Sequence, residues 1–394
     1  MNNYILVINS GSSSLKISLF DFSLKEMLIS FNFQALNAED CTLFANFKGK
    51  KITEKLPNFD HEKTINFFLN FLIDKKIINS IEQLKYFGHR YVQGGEFFQK
   101  STIIDKDNEE ILEQIMDLAP LHNPVNFKTF KIFKKNFPNG LHVAVFDTQF
   151  HTTIPIERFL FPIPYSYYSN HKIRKYGFHG SSYMYVLEKA KEYFKKKKLN
   201  LIVCHIGAGS SICAIKDSKS FDTSMGMSPL GGIMMGTRCG DIDPSVIEFI
   251  HQKTNKNLYE ITNELNRKSG IKGVCELETG DFRNLISLVE EGNIQAEITY
   301  NMFLNRIIEY IGRYFFALKG EVDAFILTAG IGENSQKLHT DILDYLNNIF
   351  KENMELKHQE INGIKVLAKF KNFEYLVIPT NEELVIAKEV KKFI

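Results

Sequence analysis

Residues 4–20 read Tyr-Ile-Leu-Val-Ile-Asn-Ser-Gly-Ser-Ser-Ser-Leu-Lys-Ile-Ser-Leu-Phe: an apolar run, a Gly/Ser turn, and a run that alternates apolar with polar. This pattern predicts a β-hairpin, with Gly11 free to take a positive φ at its tip. The arrangement returns at Leu201–Ile215, where Leu-Ile-Val-Cys-His-Ile enters Gly-Ala-Gly-Ser-Ser and leaves as Ile-Cys-Ala-Ile. A repeat about half a chain away implies a fold of two similar halves. Tyr86–Val92 and His142–Thr148 read as buried strands, and Glu62–Ile78 and Asn108–Leu118 carry helical periodicity. Asn123-Pro124 reads as an N-cap followed by Pro at N1, opening a helix to about Asn136. Beyond Asp147 the chain is irregular and rich in aromatics and Pro, which places a domain boundary near residue 150. Further on, the pattern predicts a helix capped at Asp243-Pro244, a long helix over Ile294–Lys319, a strand at Ala324–Leu327, a helix from Ser335 and a strand at Tyr375–Ile378. Thr380-Asn-Glu-Glu383 has the form of a capping box for the last helix. Alternation of this kind predicts an α/β fold.

Length and composition narrow the class. At 394 residues, two domains are the natural expectation. A net charge of +2 with 24% charged residues gives no dominant field, so neither nucleic acid nor a membrane is expected as a partner. The lysines at 195–198 close the helical pattern from Ser182 and suit a solvated helix end. Five cysteines without a Cys-x-x-Cys pair suggest free thiols and a reducing compartment, and no zinc spacing is present. Met1–Ile8 has no basic n-region and no apolar run is long enough to span a bilayer, so a cytoplasmic location is expected.

The turns carry the chemistry. Asn9, Ser12, Ser13, Ser14 and Lys16 crowd small donors and one cation onto a hairpin tip, a cradle for phosphate oxygens. The Gly207-Ala-Gly209 turn is a second such loop. Leu327–Ser335 is a third, in which Gly330 and Gly332 allow a nucleoside to approach the backbone. Neither the P-loop nor the dinucleotide fingerprint fits these segments. Two phosphate hairpins and a glycine loop describe a nucleotide cleft between related domains. Phosphoryl transfer in such a cleft requires the charge on the phosphoryl oxygens to be neutralised, a task that suits planar cationic forks, for which Arg90 and Arg238 are the candidates, while Asp147 ends a buried strand where α/β folds carry functional groups.

Asn9–Lys16, His89-Arg90, Leu118–Pro124, Val145–Thr148, Tyr176–Gly180, Asp222–Gly226, Met235–Arg238 with Gly240–Pro244, Ala329–Ser335 and Thr380–Leu384 together resemble the signature segments of the acetate kinase family, in family order along nearly the whole chain. The resemblance implies two ribonuclease H-like domains of the actin, Hsp70 and sugar-kinase type with the active site in the cleft between them. The first domain would span residues 1–150 rejoined by a C-terminal helix at 381–394, and the second residues 151–380. It implies reversible transfer from ATP to acetate, giving acetyl phosphate and ADP by direct in-line displacement, in a homodimer. By motif match, Arg90, Asp147, His179 and Arg238 are catalytic, and Arg90, Val92, Leu121, His122, Phe178 and Pro229 bind acetate. ATP or ADP falls to Ser12, Ser14, Lys16, His205, Ile206, Gly207, Ala208, Gly209, Asp281, Phe282, Arg283, Gly330, Ile331, Gly332, Glu333 and Asn334. Asn9 and Glu382 would hold Mg²⁺, with Mn²⁺ as an alternative, and Glu383 is left to the capping box.

A carboxylate acceptor is already ionised at neutral pH and needs no general base, so His179 is expected to donate to the transferring phosphoryl rather than abstract a proton. The chain departs from the family pattern at Gln93 (usually His), Ala208 (usually Asn), Gly231 (usually Glu), Cys239 (usually Ser) and in Val274–Gly280. These departures touch nucleotide contacts and kinetics, not reaction class. Propionate kinase is the near alternative, because one methylene changes little in an apolar pocket. An ATP-driven module of the Hsp70 or actin type is the alternative from another class.

Overall fold

Every residue from Tyr4 to Ile8 is apolar because the strand that holds them is covered on both faces. In the computed structural model, which describes residues 3–351 and 354–394, Leu6 and Ile8 join a cluster with Phe31, Phe33, Phe68 and Leu72. Ile5 and Val7 pack instead with Ile386, Ala387 and Val390 of the last helix, Glu382–Lys391. Successive side chains of a strand point to opposite faces, so each layer takes alternate residues.

The chain forms two compact units, the first running to Gln149 and including Asn381–Ile394, the second Phe150–Thr380. The first unit holds β1 (Tyr4–Ser10), β2 (Ser14–Asp21), β3 (Met27–Gln34), β4 (Thr42–Phe47), β5 (Lys50–Lys55), β6 (Leu84–Tyr91), β7 (Thr102–Ile103) and β8 (Leu141–Phe146). They make one sheet in the order β5-β4-β3-β2-β1-β6-β8-β7. The second unit holds β9 (Leu201–Ile206), β10 (Ser210–Lys216), β11 (Lys219–Thr223), β12 (Ala324–Thr328), β13 (Glu355–Ile361), β14 (Ile364–Lys369) and β15 (Glu374–Val377). Their order is β11-β10-β9-β12-β15-β14-β13.

The two sheets repeat one plan. In each, three antiparallel strands follow one another (β1–β3, β9–β11) and two strands parallel to the first lie beside it (β6 and β8, β12 and β15). The predicted internal repeat is thus a repeat of topology. In the second unit Leu201 and Val203 pack with the helix Gly180–Phe194, while Ile202 and Cys204 face the helix Ile294–Ala317. All five cysteines are free thiols, and among the described residues no helix is long and apolar enough to cross a membrane.

Local expectations change in four places. Residues 27–55 form β3–β5, which are absent from the expectations above although Ile29, Phe31 and Phe33 alternate with polar residues in β3; β5 is an exposed edge strand without alternation. The helix Asn123–Asn136 begins at Asn123 itself. The Asn123 carboxamide does not cap it but turns inward, donating to the Gln93 carbonyl at 2.9 Å and accepting from the Gln93 N–H at 3.2 Å. The helix from Gly180 ends at Phe194, so Lys195–Lys198 follow it rather than close it. The last helix begins at Glu382 with Asn381 as N-cap, whose side chain accepts from the Leu384 N–H at 3.0 Å. The box expected between Thr380 and Glu383 is not made, and the Glu383 carboxylate pairs with Lys16.

Candidate active site

In the first unit the candidate side chains lie at the C-terminal ends of the parallel strands, where an open α/β sheet presents its groups. Asn9 stands near the end of β1, Arg90 near the end of β6, and Asp147 directly follows β8, its N–H bonded to the Tyr91 carbonyl at 2.9 Å. Arg90 joins them. Its Nε and Nη2 donate to the two oxygens of Asp147 at 2.9 and 2.5 Å, and Nη1 donates to Asn9 Oδ1 at 2.9 Å. These bonds engage three of the five guanidinium donors. Burial works against the Arg90 cation, yet Asp147, with Glu382 and Glu383 beyond it, holds its pKa above the ordinary value.

Glu382 is pushed toward its neutral form. Burial raises its pKa to about 7; Arg90 opposes the change, and the Asp147 and Glu383 carboxylates reinforce it. A crowded acid of this kind gains most from a further cation. The hard oxygens of Asn9 and Glu382, set about one arginine, therefore fit a divalent ion that keeps most of its waters. The hairpin tip is closed by the Gly11 N–H to Ser14 carbonyl bond at 2.8 Å and anchored by Asn126, which donates to the Ser10 carbonyl at 2.7 Å. Ser12 is exposed, Ser14 half-buried, and Lys16 is held by Glu383. Val92 is buried, Leu121 is exposed, and His122 occupies the N-cap position of the helix Asn123–Asn136. Gln93 is buried in its own turn, accepting from the Gly95 N–H at 2.9 Å.

The second unit contains a cavity of about 1200 Å³ lined by the Gly207–Gly209 turn and by the short helix Ala329–Asn334, where a loop was expected. Of the residues assigned to the nucleotide, Gly207, Ala208, Gly209, Asp281, Phe282, Arg283, Gly330, Ile331 and Asn334 line it. Four others support it from behind. Ile206 is fully buried, and Gly332 packs against Ile206 and Leu327. Glu333 accepts from the Thr380 N–H at 3.0 Å, and His205 bonds Ser182 Oγ at 2.8 Å. Phe282 gives the cavity only an edge, since most of the ring packs on Tyr300 and Phe303. Asp281 caps the helix Phe282–Glu290 and also pairs with Arg283 at 2.6 Å.

Sequence reasoning missed the wall formed by Gly236, Thr237, Gly280, Gln336 and Lys337. A Cβ on Gly280 would stand 2.3 Å from the Gly236 carbonyl oxygen, so two glycines far apart in sequence touch through their backbones. Gly236 lies in the signature segment Met235–Arg238 and Gly280 in the atypical segment Val274–Gly280, but nothing in either segment points to the other.

At the edge of this cavity two predicted groups converge. A Cβ built on Gly209 would lie 3.2 Å from Arg238 Nη1 and 3.5 Å from His179 Nε2. Arg238 Nη1 also donates to the Pro229 carbonyl at 3.1 Å, so Pro229 meets the arginine through its backbone. His179 has a left-handed backbone (φ 59°, ψ 25°) just before the helix Gly180–Phe194, a conformation that costs a non-glycine residue about 1–2 kcal/mol. The preceding turn is held by His151. Its Nε2 can only donate to the Phe178 carbonyl at 2.9 Å, which leaves Nδ1 to accept from Ser220 Oγ at 2.7 Å. Gly177 is required beside it, because a Cβ there would meet Thr223 at 2.5 Å and the His151 ring at 2.7 Å.

Each unit carries the strand plan of the ribonuclease H-like ATPase superfamily, and the glycine-lined cavity, arginines and histidine suit a phosphotransferase. The description of the acetokinase family matches residues 4–388. The chain is 41% identical to the acetate kinase of Phytoplasma australiense, covering 98% of this chain and 97% of that one. It is 40% identical to the acetate kinase of Staphylococcus saprophyticus, covering 100% and 99%. Among solved structures, a propionate kinase from Francisella tularensis superposes with a TM-score of 0.91 at 36% identity, covering 98% of each chain. Porphyromonas gingivalis acetate kinase superposes with a TM-score of 0.87 at 33% identity, covering 99% of each. The chain belongs to the acetokinase family.

Proposed function

We propose that this chain is an acetate kinase, transferring the γ-phosphoryl group of ATP reversibly to acetate and releasing acetyl phosphate and ADP by direct in-line displacement. The observation that carries the reading is the convergence of Arg238 Nη1 and His179 Nε2 over Gly209, at the edge of a cavity sized for a nucleotide. Charge accumulates there on the equatorial oxygens of the transferring group, and donors already in place stabilise it without reorganisation.

In this reading the Gly207–Gly209 turn, Gly330–Asn334 of the short helix Ala329–Asn334 and Asp281–Arg283 bind the nucleotide, and Ser12, Ser14 and Lys16 contact its phosphates. Two uncommitted N–H groups of Arg90 receive the acetate carboxylate, while Asp147 orients the guanidinium. Val92, Leu121, Phe178 and Pro229 surround the methyl group, and His122 assists beside them. Asn9 and Glu382 would hold Mg²⁺, with Mn²⁺ also accepted, and the ion supplies neutralisation of the phosphate charge when bound. We further propose a homodimer in the cytoplasm. The exposed apolar stripe Ile294, Ile298 and Met302 on one helix supports the pairing. Light scattering should give about twice the 45.5 kDa chain mass.

The likeness to a propionate kinase favours one second reading, propionate as acceptor. A single methylene is worth about 1–3 kcal/mol in an apolar pocket. Incubation with MgATP and hydroxylamine in the presence of acetate, propionate, butyrate or no acid separates the readings. Acyl hydroxamate forming fastest with acetate is the expected result. A faster rate with propionate selects the second reading, and ATP turnover indifferent to the acid overturns both.

A further inference from the structure

His179 is held at its other nitrogen. Its Nδ1 lies 2.8 Å from Ser211 Oγ, and the same oxygen lies 2.5 Å from the hydroxyl of Tyr183. Ser211 and Tyr183 are fully buried. Tyr183 follows His179 by one helical turn, its N–H bonded to the His179 carbonyl at 3.1 Å, so both ends of the chain of hydroxyls are fixed to the same helix start. The imidazole is further clamped by a stack on His205, with ring centroids 4.0 Å apart and planes 18° from parallel. His205 in turn is tied to Ser182 Oγ at 2.8 Å.

We propose that Ser211 and Tyr183 are positioning residues that set the tautomer of His179, with the proton on Nε2. This rests on the kinase reading above for its purpose and on these contacts for its existence. The phenol is the more acidic hydroxyl and donates to Ser211 Oγ, and the serine hydrogen then points to Nδ1, the better acceptor of its two neighbours. With Nδ1 accepting, the ring hydrogen sits on Nε2, the atom that faces the spot above Gly209 beside Arg238. A neutral ring in this state donates to an anionic phosphoryl oxygen. In the other tautomer the Nε2 lone pair would oppose that oxygen.

The test uses the full chain labelled with ¹⁵N at histidine, the His179 signals being assigned by their loss in His179→Gln. The wild-type spectrum is expected to show Nε2 protonated and Nδ1 bare. Ser211→Ala should move part of the population to the Nδ1–H form and lower kcat about tenfold, the scale of one lost hydrogen bond, with the Kd for MgATP changed less than about twofold. Tyr183→Phe should shift both readouts in the same direction by a smaller amount, and it decides the matter if Ser211→Ala does not fold. A wild-type spectrum with Nδ1 protonated overturns the proposal, as do variants that keep both the wild-type tautomer and the wild-type kcat. Absence of acid-dependent hydroxamate in the wild type would sink the kinase reading instead, and the tautomer measurement would still decide this one.

Discussion

Arg90 and Arg238 both present a planar fork suited to an anion, yet their surroundings differ. Arg90 is tied to Asp147 through two bonds, whereas Arg238 leans on a backbone carbonyl with its fork toward Gly209. Both Nη atoms of Arg238 stand within 3.7 Å of a Cβ built on Gly209, and a donor already in place acts on charge that develops there. Arg238→Ala should therefore lower kcat by about 10²–10³, the range seen when one preorganised donor is removed. Its Kd for MgATP, measured by calorimetry, should change little; a kcat near wild type with a raised acetate KM would contradict this. Gly280→Ala makes a different demand. The added methyl would stand 2.3 Å from the Gly236 oxygen, and backbone on both sides has to move. MgATP binding should weaken roughly tenfold or more, about 1.4 kcal/mol, and an unchanged Kd would show that the glycine contact is irrelevant to the cavity. Sequence alone identified the glycines at 207, 209 and 330, but contact between residues 236 and 280 cannot be read from a linear string.

Each strand end delivers a residue that the strand does not itself explain. Asp147 is legible as the end of an apolar run, whereas Asn9, expected on the hairpin tip, and Arg90, expected as an arginine beside glycines, stand inside β1 and β6. Their assembly was not legible, since it depends on β1, β6 and β8 being parallel neighbours. Glu382 and Glu383 show how closely the outcome depends on phase. Starting the last helix after Asn381 rather than after Thr380 sends Glu383 to Lys16 and leaves Glu382 beside Arg90. That helix is seated on Gly88 of β6, where a Cβ would stand 2.6 Å from Ile386 Cγ2 and 2.8 Å from Val390 Cγ2. Gly88→Ala should cost about 1–3 kcal/mol by overpacking. It should also raise the Mg²⁺ concentration needed for half-maximal rate, because displacing the helix displaces Glu382. A stability loss with an unchanged Mg²⁺ requirement would separate the two effects and remove Glu382 from the metal.

Across the whole molecule, buried histidines make stability depend on acid. His89 donates from Nε2 to His142 Nδ1 at 3.0 Å, and His142 Nε2 donates to the Phe137 carbonyl at 3.0 Å, a chain inside the first unit. Burial holds His142 and His151 down to about 4 and His89 well below the histidine norm. Unfolded, each would titrate near 6.5, so between that pH and about 4 the unfolded chain binds more protons than the folded one. The contribution is complete above pH 6.5 and is lost as the pH falls toward 4. The loss should reach about 2 kcal/mol for each such histidine by pH 5. Glu382, raised to about 7, acts in the other direction, its contribution present at low pH and lost as the pH rises through 7. Denaturant midpoints at pH 7 and pH 5 should fall in that order, less steeply in His142→Asn, and a flat profile would contradict the neutral pair.

By itself the sequence determined the repeated strand-turn-strand segments, the buried strands and the residue types able to handle phosphate, because periodicity and turn chemistry are local properties. Only the tertiary structure decided which strand ends became neighbours, which glycines touch, and that a serine and a tyrosine stand behind His179. Those outcomes follow from sheet order and helix phase, which bring together residues as distant as Asn9 and Glu382 and leave no trace in the spacing between them.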